Sequence, residues 1–197
     1  VITEIEDAIL ARVNAANDGR LGYQFASVAT YGGEFDDDLA QVVRRLPGLW
    51  VAYAGGGKPR ALGTDRNAWR MPATFAVMVG ARSVRGEPFS RRGLEVGGQI
   101  AEVGAYRMLD DARRMLLNQD FGLDIARFEP GAVKTLYNTR LNGLAIAVFA
   151  QEWHTAFMVA PETTAATDAD WLRVGVNYYL QPGDAVADAS DLVTLNP

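Results

Sequence analysis

From Leu144 to Ala160 the chain runs for seventeen residues without a glycine or a proline. As a β-strand this stretch would span roughly 55 Å at about 3.3 Å per residue, far beyond the usual strand of about six. Asn142-Gly143 stands immediately before it, a strong signal for a two-residue hairpin turn. Ahead of that turn Val133, Thr135, Tyr137 and Thr139 alternate with Lys134, Leu136, Asn138 and Arg140, the period of a strand with two unlike faces. The chain therefore has to accommodate a long hairpin. The second strand is expected to bend near Gln151-Glu152 or to project beyond the sheet.

The remaining pattern supplies a sheet and helices to cover it. Ile5, Ile9 and Val13 recur at helical spacing, and Thr3 with Glu6 three residues on reads as a capping box. Phe25 to Thr30 reads as a short strand, and a second helix is expected from Asp36 to Arg45. Asp36, Asp37 and Asp38 lie in its first turn, where the helix dipole favours acids. Leu49 to Ala54 reads as a buried strand and Trp69 to Arg82 as a longer one, with Phe75, Val77 and Val79 on one face. Residues 83 to 98 read as a loop. A helix is expected from about Gln99 to Asn118, with Ala101, Ala105, Met108, Leu109, Ala112, Met115 and Leu116 as its buried stripe. Strands and helices do not alternate regularly. The expected class is α+β, a mixed and largely antiparallel sheet with helices packed on one face. Residues 1–180 are expected to form a single domain and 181–197 a C-terminal docking arm.

Composition narrows the function. The chain has 197 residues, no cysteine, one histidine and a net charge of −5. Without cysteine there is no thiolate nucleophile, disulfide framework or Cys-ligated zinc. The acidic balance argues against a dedicated nucleic-acid binder. No apolar run has the length of a membrane span, and the acidic, amphipathic start is unlike a signal peptide.

Candidate chemistry is sparse. His154 shares a strand face with Glu152, a pair that could do acid–base work or simply form a polar pair on a sheet. No nucleophile or oxyanion partner is evident beside it. Gly55-Gly-Gly-Lys58 follows a strand, as a phosphate-binding loop does, but Pro59 stands where that motif needs Ser or Thr and a helix. Asp184, Asp188 and Asp191 lack the spacing of an EF-hand loop, and the three aspartates from Asp36 have a helix-start role already. No catalytic, cofactor-binding or metal-ligating residue is assigned.

Protein contact is the better reading. Arg82, Arg85, Arg91 and Arg92 cluster around the 83–98 segment, which suits either a solvated loop or a protein-contact loop, since arginine is enriched in interfaces. Trp171 to Leu180 is an aromatic-rich strand holding Tyr178 and Tyr179. Beyond a Pro-Gly break, Leu192, Val193 and Leu195 give the acidic arm an apolar anchor.

Six stretches carry a resemblance. They are Ile2-Thr-Glu-Ile-Glu-Asp-Ala-Ile9, Tyr31-Gly-Gly-Glu-Phe-Asp36, Val103-Gly-Ala-Tyr-Arg-Met-Leu-Asp-Asp111, Tyr137-Asn-Thr-Arg140, Phe149-Ala-Gln-Glu-Trp-His154 and Asp188-Ala-Ser-Asp-Leu-Val193. Together they resemble the Mu-like phage tail-morphogenesis family encoded next to the contractile-sheath gene, over essentially the whole chain. That family is generally read as the tail terminator, or tail completion, protein. The resemblance implies a structural virion protein of the tail and neck, made in the host cytoplasm and without catalytic residues. It implies a homohexameric ring whose partners are tail tube, sheath and head–tail adaptor proteins, with DNA passing through unbound and no membrane contact. In such a ring Glu34, Asp36, Asp37 and Asp38 are candidates for the channel wall, with the arginine loop turned toward protein. A head–tail adaptor or baseplate subunit is the alternative, and a small enzyme built on Glu152 and His154 a more distant one.

Overall fold

The computed structural model describes residues 1–33, 39–64, 66–141, 143–162, 173–180, 183 and 185–194. The chain forms two compact units, Val1–Ala160 and Pro161–Pro197.

The first unit opens with helix α1, Ile2–Ala16, which buries Ile5, Ile9 and Val13. The expected capping box does not form. The helix starts one residue before Thr3, with Val1 at the N-cap and no side-chain cap bond. The other end is tied down instead: Asn17 Nδ2 donates to the Phe25 carbonyl at 3.2 Å, and the Phe25 amide donates to Asn17 Oδ1 at 2.7 Å. That pair leads into β1 (Ser27–Thr30), helix α2 (Leu39–Arg44) and β2 (Gly48–Gly55). β1 and β2 run parallel, so the chain must cross over between them, and α2 lies in that crossover.

β3 (Arg60–Ala61) pairs with the start of β4 (Trp69–Ser83). The long hairpin is β7 (Glu129–Leu141) and β8 (Leu144–Val159). The sheet order is β1-β2-β4-β8-β7, antiparallel apart from β1 and β2. The fold is thus α+β with a largely antiparallel sheet, as expected. β8 is accommodated without a break at Gln151-Glu152, because β4 pairs with it in unbroken register from Trp69↔Val159 to Ser83↔Ala145. The irregularity falls on β7, whose register shifts between Pro130 and Val133 and between Thr135 and Tyr137. Bulges of this kind twist an edge strand and blunt it against further pairing.

The segment expected as a loop followed by a long helix is differently organised. After β4 come helix α3 (Glu87–Arg92), a hairpin of β5 (Leu94–Val96) and β6 (Gln99–Glu102), and then helix α4 (Ala105–Leu116). Gly97 and Gly98 turn that hairpin at φ +60° and +80°, a left-handed pair that glycine adopts without steric cost. Gln99–Glu102 is therefore strand, Ala101 leaves the helical stripe, and the rest of that stripe is buried as expected.

Both faces of the sheet carry a core. On one, α1 and α4 cover Leu49, Val51, Phe75, Val77, Val79, Phe149 and Trp153. An aromatic column crosses this layer, with Phe128 stacked on Phe75 and Trp153 at centroid distances of 6.0 and 6.2 Å. On the other face Trp50, Met78, Ile146 and Val148 pack with Val42, Val43 and Leu46. The expectation of helices on one face holds for α1 and α4 and fails for α2. Alternation along β2 explains this. Leu49 and Val51 point one way and Trp50 the other, so a second cover is needed.

In the second unit β9 (Arg173–Tyr178) pairs antiparallel with β10 (Ala189–Thr194). The Asp188 amide donates to the Tyr178 carbonyl at 2.9 Å, and Asp188 Oδ2 accepts from the Leu180 amide at 2.8 Å. The boundary expected at residue 180 thus falls inside a two-stranded ribbon. The arm expected beyond the Pro-Gly break contains a strand, paired back onto the one before it.

Candidate interaction surfaces

Of the four arginines singled out around residues 83–98, three are engaged within the chain. Arg82 Nη1 donates to the Val43 carbonyl at 2.9 Å, in the last turn of α2, where a cation offsets the helix dipole. Arg85 Nε meets Glu102 Oε1 at 3.2 Å, and the other oxygen of that carboxylate accepts from Ser83 Oγ at 2.7 Å. Arg91 pairs with Glu87 at 3.0 Å and donates to the Tyr106 hydroxyl at 3.3 Å. Arg92, exposed in the last turn of α3, makes no ion pair among the described residues. This group acts mainly as internal bracing between the end of β4, α3 and the β5–β6 hairpin, with Arg92 exposed.

Glu152 and His154 do share a face of β8, as expected, but each turns to a different partner. Lys134 Nζ donates to Glu152 Oε1 at 2.7 Å and, by that bond and its charge, holds the carboxyl below the usual carboxylate range. His154 Nδ1 lies 3.0 Å from Thr74 Oγ1. Its Nε2 closes on Gly131, where an added Cβ would come within 2.4 Å of it. Gly55, Gly56 and Gly57 lead into β3 rather than a helix. Gly56 is required there because a Cβ would meet the Pro72 carbonyl oxygen at 2.1 Å. Among the described residues no cluster of His, Cys, Asp or Glu is built to hold a metal ion.

Beyond the reach of α2, the second sheet face is an open groove of about 490 Å³ floored by Ala52, Ala54, Ala76 and Ala150. Tyr137 and Leu136 form one wall with the Lys134–Glu152 pair. Farther along β4 and β8 is a second cleft of about 430 Å³, lined by Lys58, Arg60, Arg70 and Arg127 with His154 and Glu129. The sequence reading missed this basic cleft. Its residues are scattered over four segments, and the register of β3 on β4 sets Arg60 directly opposite Arg70.

On the C-terminal ribbon Tyr178, Tyr179, Leu192 and Val193 are exposed, as an interface reading requires, and Leu180 and Val186 are more so, at 82% and 79%. Trp171 and Leu195 lie outside the described residues, as do Glu34, Asp36, Asp37, Asp38 and Asp184.

The family model described as "Bacteriophage Mu, Gp37" matches residues 1–158. The chain belongs to that Gp37 family. Membership makes it a phage protein of the structural and morphogenetic class. The match ends two residues short of the boundary between the two units, so the Asp188–Val193 stretch lies outside it. No curated protein matches the chain. No described helix of this Gp37-family protein is long and apolar enough to cross a membrane.

Proposed function

We propose that this Gp37-family protein is a structural subunit of the tail, a terminator that caps the tail tube as a homohexameric ring and forms the joint to the head. Family membership supports the phage-morphogenesis class. The observation that carries an assembly role is the C-terminal ribbon. A two-stranded ribbon alone is marginally stable in water, yet this one exposes Val176, Tyr178, Tyr179, Leu180, Leu192 and Val193. Such a surface suits burial against a partner. Ring closure requires heterologous contacts, in which one surface meets a different surface of the neighbour. The ribbon and the clefts of the sheet are unlike surfaces of that kind. In this reading the protein performs no catalysis, its partners are tube, sheath and head–tail adaptor proteins, and DNA passes through the ring without specific binding.

The deciding experiment is electron microscopy of particles made without this protein. A missing terminator leaves tube growth unchecked, so tails of indefinite length without heads are expected, restored by the wild-type chain. Tails of normal length that merely lack heads would favour an adaptor and overturn the terminator reading.

A further inference from the structure

The charge of this protein is unevenly divided. Residues 161–197 contain Glu162, Asp168, Asp170, Asp184, Asp188 and Asp191 against Arg173 alone. That is a formal −5, the whole net charge of the chain, so residues 1–160 are balanced with eighteen acids and eighteen cations. An acidic C-terminal unit is joined to a neutral sheet unit.

Within the neutral unit one place concentrates unanswered positive charge. Arg60 and Arg70 stand directly opposite on β3 and β4, where like charges repel. Among the described residues neither they nor Lys58 has an ion-pair partner. Arg127 reaches Asp120 only at 3.9 Å. Among the described residues Glu129 is the one carboxylate lining the cleft and His154 its imidazole. The setting is partly apolar, since Pro72 and Ala156 line the cleft and Met158, exposed, pairs directly with Arg70.

The ribbon has the complementary make-up. Asp191 stands opposite Val176, on the face that also carries Tyr178 and Val193. All four are exposed, and among the described residues Asp191 has no partner. Asp188, in contrast, is occupied by the Leu180 amide.

We propose that the Lys58–Arg60–Arg70 cleft receives the C-terminal ribbon of a second copy of this chain. The Asp191 carboxylate is taken by Arg60 and Arg70, and Val176, Tyr178 and Val193 lie against Pro72, Ala156 and Met158. A bound carboxylate removes the Arg60–Arg70 repulsion and covers the apolar ribbon face in one step. Donor and acceptor are different surfaces, so the contact joins copies head to tail except where two copies exchange ribbons reciprocally. The inference deepens the ring reading and rests on it.

The absence of cysteine allows a direct test. Met158→Cys and Ala189→Cys chains, which leave Arg60, Arg70 and Asp191 in place, are mixed, one of them mass-tagged, and treated with a short bis-maleimide, in solution and on assembled tails. A mixed cross-linked dimer is expected. If the ribbon docks on its own cleft, the doubly substituted chain closes within itself and the mixture gives nothing, which overturns the proposal. Absence of any cross-link in both settings also overturns it. In parallel, Arg60→Glu with Arg70→Glu should weaken self-association at least about tenfold, as expected for loss of close charge pairs across an interface, and adding Asp191→Arg should restore part of it. These residues are exposed, so an unchanged circular dichroism spectrum verifies the fold. If the reversal leaves association intact but abolishes binding of a random-sequence duplex measured by anisotropy, the cleft is a phosphate site and the proposal fails. The ring reading is judged separately: a closed two-fold dimer that cross-links as expected keeps the docking and discards the ring.

Discussion

Asp111 is a charged group inside the first unit, only 3% exposed on the inner face of α4. Its carboxylate accepts from the Tyr23 hydroxyl at 3.2 Å, from Arg107 Nε at 3.0 Å and from Arg114 Nη1 at 3.4 Å. The arginines keep 42% and 70% of their side chains exposed, so on losing Asp111 they return to water at little cost. Tyr23, part-buried, is the partner least able to. A hydrogen bond to a charged group contributes about 1.5–3 kcal/mol, and a 3.2 Å bond belongs at the lower end. Tyr23→Phe is therefore expected to cost about 1.5 kcal/mol. Asp111→Ala should cost about 3 kcal/mol, the low end for breaking a buried pair, because two of the three donors can resolvate. In the double mutant the two losses should overlap by about 1 kcal/mol. Urea unfolding followed by tryptophan fluorescence gives all four corners of the cycle. Alkaline pH gives an independent check. Burial first, and then the Asp111 charge, push the Tyr23 hydroxyl above its ordinary value of 10.0. The folded state therefore keeps a proton that the unfolded state releases. The associated stability is fully present below about pH 10 and is lost above it, by at most about 1.4 kcal/mol per pH unit. Tyr23→Phe should remove that share of the decline. Additive losses in the cycle, or the same alkaline decline with and without Tyr23, would refute the reasoning.

Gly104→Ala should destabilise by about 2–4 kcal/mol, because its Cβ would sit 2.2 Å from the Gly93 nitrogen and 2.4 Å from the Arg91 carbonyl oxygen, both backbone atoms that cannot swing aside. Gly98→Ala meets nothing within 4 Å and carries only the strain of φ +80°, about 1 kcal/mol, so equal urea midpoints for the two variants would count against the close approach. Truncation after Ala160 should leave the first unit folded, with an unchanged thermal transition, while tails made with it fail to terminate; an unfolded product would show that the second unit belongs to the core. His154→Ala should leave tail assembly intact and cost about 1 kcal/mol or less, the worth of one exposed hydrogen bond to Thr74; a reaction abolished by this substitution would sink the non-enzymatic reading.

Where one periodicity dominated, the sequence was legible. Ile5, Ile9 and Val13 placed α1, and the alternation before Asn142-Gly143 with the unbroken run after it placed β7 and β8. The Gln99–Glu102 strand was not legible, because Ala101 falls at helical spacing from Ala105 and Met108 and only the Gly97-Gly98 pair marks the turn. The capping box at Thr3 failed because a favourable cap spacing does not fix where the first turn begins. The four arginines stood out by proximity in sequence, but their partners Val43, Glu102 and Tyr106 come from elements that only the fold brings near. The basic cleft was hidden for the converse reason, since Lys58, Arg70 and Arg127 are distant in sequence and only the folded chain brings them to one cleft. The ribbon was half visible: its apolar and aromatic residues could be read, but their pairing could not.

The position of β8 between β4 and β7 bears on how the chain is made. Partners along the central pair are between 62 residues apart, at Ser83↔Ala145, and 90 apart, at Trp69↔Val159. Such separation gives the sheet a high contact order and a slow closure. On the ribosome β4 emerges with β2 available on one side. Its other edge, fifteen residues long and bearing Phe75, Val77 and Val79, stays unsatisfied until β8 has followed α4 and β7 out of the exit tunnel. At ordinary translation speeds of about 5–20 residues per second that interval lasts several seconds. Throughout it, the strand that later becomes the centre of the sheet is its most adhesive edge.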